Sequence, residues 1–192
     1  MPREPYLVAD SVPAEPGTRC RFTLRRRWSE GGYTAVIVGL NPSTAAGDTD
    51  DMTIRKEVGF CKRNHLSGFT KVNLFATRAT NPLHLLAMRE SVGTFDANLF
   101  AIQNALAQPG VSHVICAWGG ASGRLRQLVD KRVTDLVNAG AFNGRMLWSF
   151  GTTKDGYPCH TSRLPYDTML TPWQFVSRPE QFPRPYAEAV SL

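Results

Sequence analysis

No apolar run in this sequence approaches the ~18 residues that a membrane-spanning helix needs. The first residues, Met1-Pro2-Arg3-Glu4-Pro5, carry no apolar signal core. Membrane insertion and secretion are therefore not expected, and a cytoplasmic chain is. The four cysteines, Cys20, Cys61, Cys116 and Cys159, are scattered and form no CxxC pair. Zinc-knuckle spacing is absent, and nothing suggests a disulfide framework. Reduced, part-buried thiols are the plain reading, with a dispersed iron–sulfur site as the alternative. No repeat recurs at a solenoid period. No Gly-x-Ser-x-Gly elbow supports serine hydrolase chemistry. Neither a GxGxxG nor a P-loop with its lysine occurs. No cofactor is expected.

What is present describes a globular chain of 192 residues, 42% hydrophobic and 20% charged. That length suits one domain able to bury roughly 70% of its unfolded surface. Lys and Arg number 22 against 16 Asp and Glu, for a net charge of +6 and a pI of about 9.4, which favours anionic partners.

Residues 1–18 contain Pro2, Pro5, Pro13 and Pro16 and read as an extended arm. Arg21-Phe22-Thr23-Leu24-Arg25 alternates with period two, as an edge strand does, and runs into Arg26-Arg27-Trp28. Residues 34–40 form a continuous β-branched run of the kind buried on both faces of a parallel sheet. Residues 69–75, 111–118 and 145–150 are three more strand candidates. Between them lie three helical patterns. One is capped by Thr53, with Ile54, Val58, Cys61 and Leu66 on one side. One is capped by Thr94, with Phe95, Leu99, Ile102 and Leu106. The third carries Leu125, Leu128, Val129, Val133 and Leu136. The tail from residue 151 reads as a wrapping segment. Alternation of strands and helices predicts an α/β fold: three αβα layers around a mostly parallel, four-stranded sheet. In such sheets ligands bind beyond the carboxyl ends of the strands. Four loops should converge there: 41–51, 75–82, 119–123 and 151–164.

Asn41-Pro42 holds Asn41 in an extended conformation at a strand tip. It reads either as a turn that ends the strand or as an amide able to hold a water or a base edge. Ser43 follows. Asp48, Asp50 and Asp51 could bind a divalent metal, or could complement a helix dipole and stay solvated. In the second loop Arg78 suits a phosphate and Phe75 a stacked base, while a surface arginine and a core phenylalanine explain them as well. Gly119, Gly120 and Ser122 lead into a helix N-terminus, where backbone amides can approach a polar or anionic ligand. His160, with Ser162 and Arg163, lies in a polar loop and can act as donor, acid or base. His113 falls inside a buried strand. Arg21, Arg25, Arg26 and Arg27 can supply phosphate contacts.

Several strings carry a resemblance. They are Leu40-Asn41-Pro42-Ser43-Thr44-Ala45, Asp50-Asp51-Met52-Thr53-Ile54-Arg55, residues 72–82, Trp118-Gly119 and Gly156-Tyr157-Pro158-Cys159-His160. Together they resemble an uncharacterised bacterial and phage family of unknown function. The order of segments is also distantly similar to the uracil-DNA glycosylase superfamily. Gly39-Leu40-Asn41-Pro42 matches its first motif, residues 73–82 its middle segment, and Trp118-Gly119-Gly120-Ala121 its helix start. His160-Thr161-Ser162-Arg163-Leu164 matches its closing motif. Ser43 stands where that superfamily has glycine, and Thr161 where it has proline. The resemblance implies that Asn41 positions a water, that His160 stabilises a departing base, and that residues 162–164 press into a duplex. The expected function is processing of a base, nucleoside or nucleotide, free or in DNA. The alternatives are a non-catalytic nucleic-acid binder and a metal-dependent nucleotide enzyme. The expected partner is nucleic acid or nucleotide, with no membrane.

Overall fold

A computed structural model describes residues 6–13, 19–43, 49–88, 90–142 and 144–175, with the side chains of residues 92 and 93 left aside. Asp48, Thr44 and Ala45, part of the proline-rich arm and the end of the tail lie outside the described residues.

The strands are β1 Val8–Val12, β2 Thr23–Arg27, β3 Thr34–Gly39, β4 Gly68–Asn73, β5 Val111–Cys116, β6 Leu147–Ser149 and β7 Thr171–Trp173. The helices are α1 Met52–Arg63, α2 Val92–Leu106 and α3 Gly123–Asn138. One mixed sheet runs β1-β2-β4-β3-β5-β6-β7. The four strands expected from their apolar runs are the parallel neighbours β4, β3, β5 and β6. The expected four-stranded sheet is corrected to seven strands, because antiparallel strands extend both sides. β2 is consequently not an edge. β1, from the proline-rich arm, pairs outside it, and Asp10 sits opposite Arg25 in register.

Period two in the strands divides the core. Val36, Val38, Val72, Leu74, Val114 and Cys116 face one layer, where Ile102 and Leu106 of α2 and Val129 and Leu136 of α3 cover them. Ala35, Ile37, Phe69 and Ile115 face the other, against Ile54, Phe60 and Cys61 of α1. The tail completes that second layer through Leu164, Tyr166 and Leu170. Two helix starts differ from expectation by a few residues. Asp51 caps α1, its carboxylate accepting from Ile54 N at 2.9 Å, and Ser91 caps α2.

The basic stretch turns inward. Arg26 is fully buried, and its Nε donates to Asp50 Oδ1 at 2.8 Å. Tyr6 donates its hydroxyl to the other oxygen of the same carboxylate at 2.5 Å. Arg25 is engaged by Asp10, with Nε to Oδ1 at 2.8 Å. Arg27 donates to the Ser29 and Gly31 carbonyls. The four arginines therefore do not form one exposed phosphate-binding face. Alternation along β2 sends Leu24 and Arg26 inward and leaves Arg25 outward. No helix among the described residues is long and apolar enough to cross a membrane.

Replacing one partner of a buried ion pair strands the other charge, at a cost of about 3–5 kcal/mol. Arg26→Met should lower unfolding stability by that order in a urea titration. Arg26→Met with Asp50→Asn should lose markedly less.

Candidate functional site

A cavity of about 550 Å³ opens beyond the carboxyl ends of β3, β4 and β5. All four loops singled out from the sequence contribute to its wall. Asn41 and Ser43 come from the first, Ala79 and Thr80 from the second, and Gly119 and Gly120 from the third. The fourth contributes Cys159, His160, Ser162 and Arg163. The chain crosses from β3 through α1 to β4, then back through α2 to β5 on the far side of β3. The order of strands thus reverses between β3 and β5, which leaves a crevice at their ends.

Asn41 is held as a clip between two loops. Its Nδ2 donates to the Ala79 carbonyl at 2.6 Å and to the Pro42 carbonyl at 3.1 Å. Two carbonyl partners settle which end of the amide is nitrogen. Its Oδ1 is the group left to accept. The loops zip together past the strands through Leu74 N to Gly39 O and Phe75 N to Leu40 O, both at 2.9 Å. Arg78 donates to the Ser43 carbonyl at 3.0 Å and braces the same junction. Ser43 gives its hydroxyl to Asp51.

His160 arrives from the opposite wall. Gly119 N donates to Pro158 O at 3.0 Å, and Cys159 N to Gly151 O at 3.0 Å. Gly119 has a φ of +80°, and a side chain there would sit 3.2 Å from His160 Cβ. On the α3 side, Tyr157 donates to Asp130 at 2.5 Å, and burial followed by that contact raises its pKa to about 12. His160 Nδ1 accepts the Ser162 backbone N–H at 3.3 Å and contacts the Ser162 hydroxyl at 2.8 Å. An acceptor Nδ1 places the proton of the neutral ring on Nε2. Surrounding protein, then the Lys71 charge, lowers the ring's pKa to about 4, although one side stays open to solvent. Arg163 acts in the same direction and Asp51 opposes it. At neutral pH the cavity therefore presents an uncharged imidazole whose free position is a donor.

The floor was not foreseen. Lys71 and Asn73 occupy alternate positions of β4 and share one face. Lys71 is 5% exposed and donates to Glu57 of α1, whose carboxylate also accepts from Thr161 Oγ1 at 3.2 Å. Burial raises the Glu57 pKa, while Lys71 pulls it back. Asn73 is 1% exposed, and neither its amide nitrogen nor its oxygen has a protein partner. Trp118, 3% exposed, lines the cavity from the α2–α3 layer, and its Nε1 is also unpartnered. Arg21, 2% exposed, lines the same cavity. Burial, then the neighbouring Arg78, lowers its pKa to about 10. A signal was available: a lysine and an asparagine two apart in a strand otherwise buried on both faces.

Other expected residues have different places. Phe75 is a core residue with the Arg132 guanidinium 4.5 Å above its ring, so it cannot stack on a base. Pro42 is buried beneath Asn41 and its carbonyl receives the amide. Ser122 is the N-cap residue of α3, exposed and without a side-chain cap bond. Leu164 is half-buried against the α1 layer and Lys56 donates to its carbonyl, so it does not protrude. The carboxylate-cluster expectation is corrected: Asp50 serves Arg26 and Asp51 caps α1. Among the described residues no three His, Cys, Asp or Glu side chains gather to hold a metal ion. Cys61 and Cys116 belong to opposite core layers.

The model of a family described as protein of unknown function, DUF1643, matches residues 21–161. The chain belongs to the DUF1643 family. The match begins at the buried Arg21 and ends at Thr161, so it contains both Asn41 and His160. It also covers every strand that shapes this DUF1643 pocket. Comparison with curated proteins and with solved structures returned no match.

A His160 pKa depressed below its unfolded value means that the unfolded chain binds more protons between the two. That contribution to stability is present above about pH 6.5 and is lost as pH falls towards about 4. NMR titration of the ring carbons should show His160 neutral at pH 6. A midpoint at or above 6.5 would contradict the described surroundings.

Proposed function

We propose that the cavity binds a nucleobase, as part of a nucleoside, nucleotide or DNA strand, and that the protein hydrolyses an N-glycosidic bond. The observation that carries this reading is the shared cavity of Asn41 and His160, one amide acceptor and one neutral imidazole donor. The uracil-DNA glycosylase resemblance supplies the chemistry. A water held by Asn41 Oδ1 attacks the anomeric carbon. The glycosidic bond breaks with its electrons passing to the base. The Nε2–H of His160 stabilises the charge that develops there, and the proton shed by the water as it becomes the sugar hydroxyl passes to the departing base. A preorganised donor of this kind is worth on the order of 10²–10³ in rate. A neutral imidazole suits the task because it stabilises developing charge through a hydrogen bond without trapping the product as an ion pair.

The floor is consistent with a flat polar heterocycle. Asn73 offers a donor and an acceptor side by side, the pattern that a base edge complements. Leaving such an amide buried and unpaired costs about 1–3 kcal/mol, which a ligand would offset. Thr161 stands where the glycosylase pattern has proline, and here its hydroxyl reaches Glu57, a contact proline cannot make. Arg163, exposed on the turn after His160, is the residue of that segment free to meet a phosphate or duplex. The engaged state of Arg25 and Arg26 speaks against binding through that basic stretch alone.

Oligonucleotides containing uracil, hypoxanthine or other altered bases should release free base, read by chromatography. Asn41→Ala should reduce release by about 10²-fold or more, as should His160→Ala. Activity should hold from pH 8 down to about pH 5 and fall as His160 becomes protonated. Absence of release from every substrate would overturn the hydrolytic reading.

A further inference from the structure

The floor of the cavity is unusually rich in N–H donors. Lys71 brings an ammonium with three protons, one of which goes to Glu57. Asn73 brings an amide NH₂, unpartnered and almost wholly buried, and from the wall Trp118 adds an indole N–H that is also unpartnered. Against these stand Asn73 Oδ1 and, beneath Lys71, the second oxygen of Glu57. His160 adds a further donor from above. The arrangement depends on Gly39. A Cβ there would fall 2.7 Å from Asn73 Oδ1 and 3.0 Å from Lys71 Nζ. Glycine at this strand end therefore leaves the space in which the ammonium and the amide stand side by side.

An ion pair buried only for stability is a poor bargain, since burying two charges in place of two apolar residues is often neutral or unfavourable. Lys71 is also not shut away. It lines the cavity, while Glu57 lies beneath it and keeps one oxygen without a partner. The geometry points to Lys71 as the specificity-determining residue of the pocket: a cationic donor that selects heterocycles presenting carbonyl oxygen and rejects their amino-substituted counterparts. This rests on the nucleobase reading above and names the class of base.

The physical reason is the asymmetry of buried hydrogen bonds. A ring carbonyl accepts from Lys71 and, where it spans the floor, from Asn73. An exocyclic amino group in the same place sets donor against donor at a floor whose side chains are almost wholly buried. A buried donor left unmatched loses its hydration with no return. Sites built around polar matching reject the mismatched analogue far more strongly than apolar pockets do. Glu57 holds the ammonium in position, so selection does not rely on a side chain free to swing aside.

The test compares inosine with adenosine and uridine with cytidine, each pair differing by oxo against amino at one ring position. The probes are 2′-fluoro-2′-deoxy analogues, which resist glycosidic cleavage, used free and at the centre of a short oligonucleotide. Calorimetric titration of the wild-type protein should give at least ~10-fold tighter binding for the oxo member of each pair. Lys71→Met combined with Glu57→Gln removes both charges and strands neither; its preference should fall to within about twofold. Lys71→Gln keeps a donor for Glu57 and should also narrow the ratio, which serves if the double variant does not fold. Equal wild-type binding of oxo and amino members, or a ratio unchanged in these variants, overturns the role of Lys71 and leaves the nucleobase site standing. Binding of none of the probes in either form overturns both.

Discussion

A single buried carboxylate ties the two halves of the pocket together. Glu57 projects from α1 to the end of β4, where it receives Lys71, and to the segment after β6, where it receives the hydroxyl of Thr161. Residue 161 follows His160 directly. The position of the imidazole, the charge at the floor and the helix that roofs this face are thus parts of one network. Buried networks of this kind strengthen each bond in a medium of low dielectric, and the same medium punishes a missing partner. The helix adds further fixings on the same side. Lys56 holds the Leu164 carbonyl at 2.8 Å, and Tyr166 lies between Lys56 and Arg63, its ring 4.1 and 4.2 Å from their charges. Gly59 makes that seat, since a Cβ there would meet the Tyr166 ring at 2.4 Å.

The basic character of the chain has a divided meaning. Its excess of arginine and lysine suggested a charged face for anionic partners, yet several of those residues are consumed inside the fold. Arg26 neutralises Asp50 in the core, Lys71 neutralises Glu57, and Arg132 joins Glu90 beside two phenylalanine rings. Arg21 reaches the cavity from the segment before β2. Net charge is therefore a poor guide to the location of the site.

Much of the architecture was legible because the central strands are uninterrupted β-branched runs and the helices keep a clear apolar stripe. The convergence of the four loops followed from the rule for parallel sheets, and Asn41 and His160 were found in the loops that the rule ranked. The rest was hidden for physical reasons. β1 is short and runs into Pro13, and β7 is three residues with Pro172 at its centre, so their pairing is set by neighbours rather than by pattern. Ser91 and Thr94 lie three apart, each with a hydroxyl suited to capping, and they contact one another at 2.9 Å. Asp50 and Asp51 are adjacent in sequence, but one turns into the core and the other onto a helix end. Lys71 and Asn73 stand out in the sequence as two polar residues in an apolar strand, but their role does not, because it depends on Gly39 of a different strand.

The placement of Lys71 and Asn73 on β4 has a consequence for how such a pocket can change. β4 is hydrogen-bonded on both sides, to β2 and to β3. Its backbone cannot adjust to a new guest without breaking ladders in the middle of the sheet. The rim is built of turns, among them the short one at Thr161–Arg163. Diversification by descent or by design would therefore proceed from the outside inward: exchanges at the mouth can alter which polymer or sugar is admitted, while the chemical taste of the deepest point stays inherited with the scaffold.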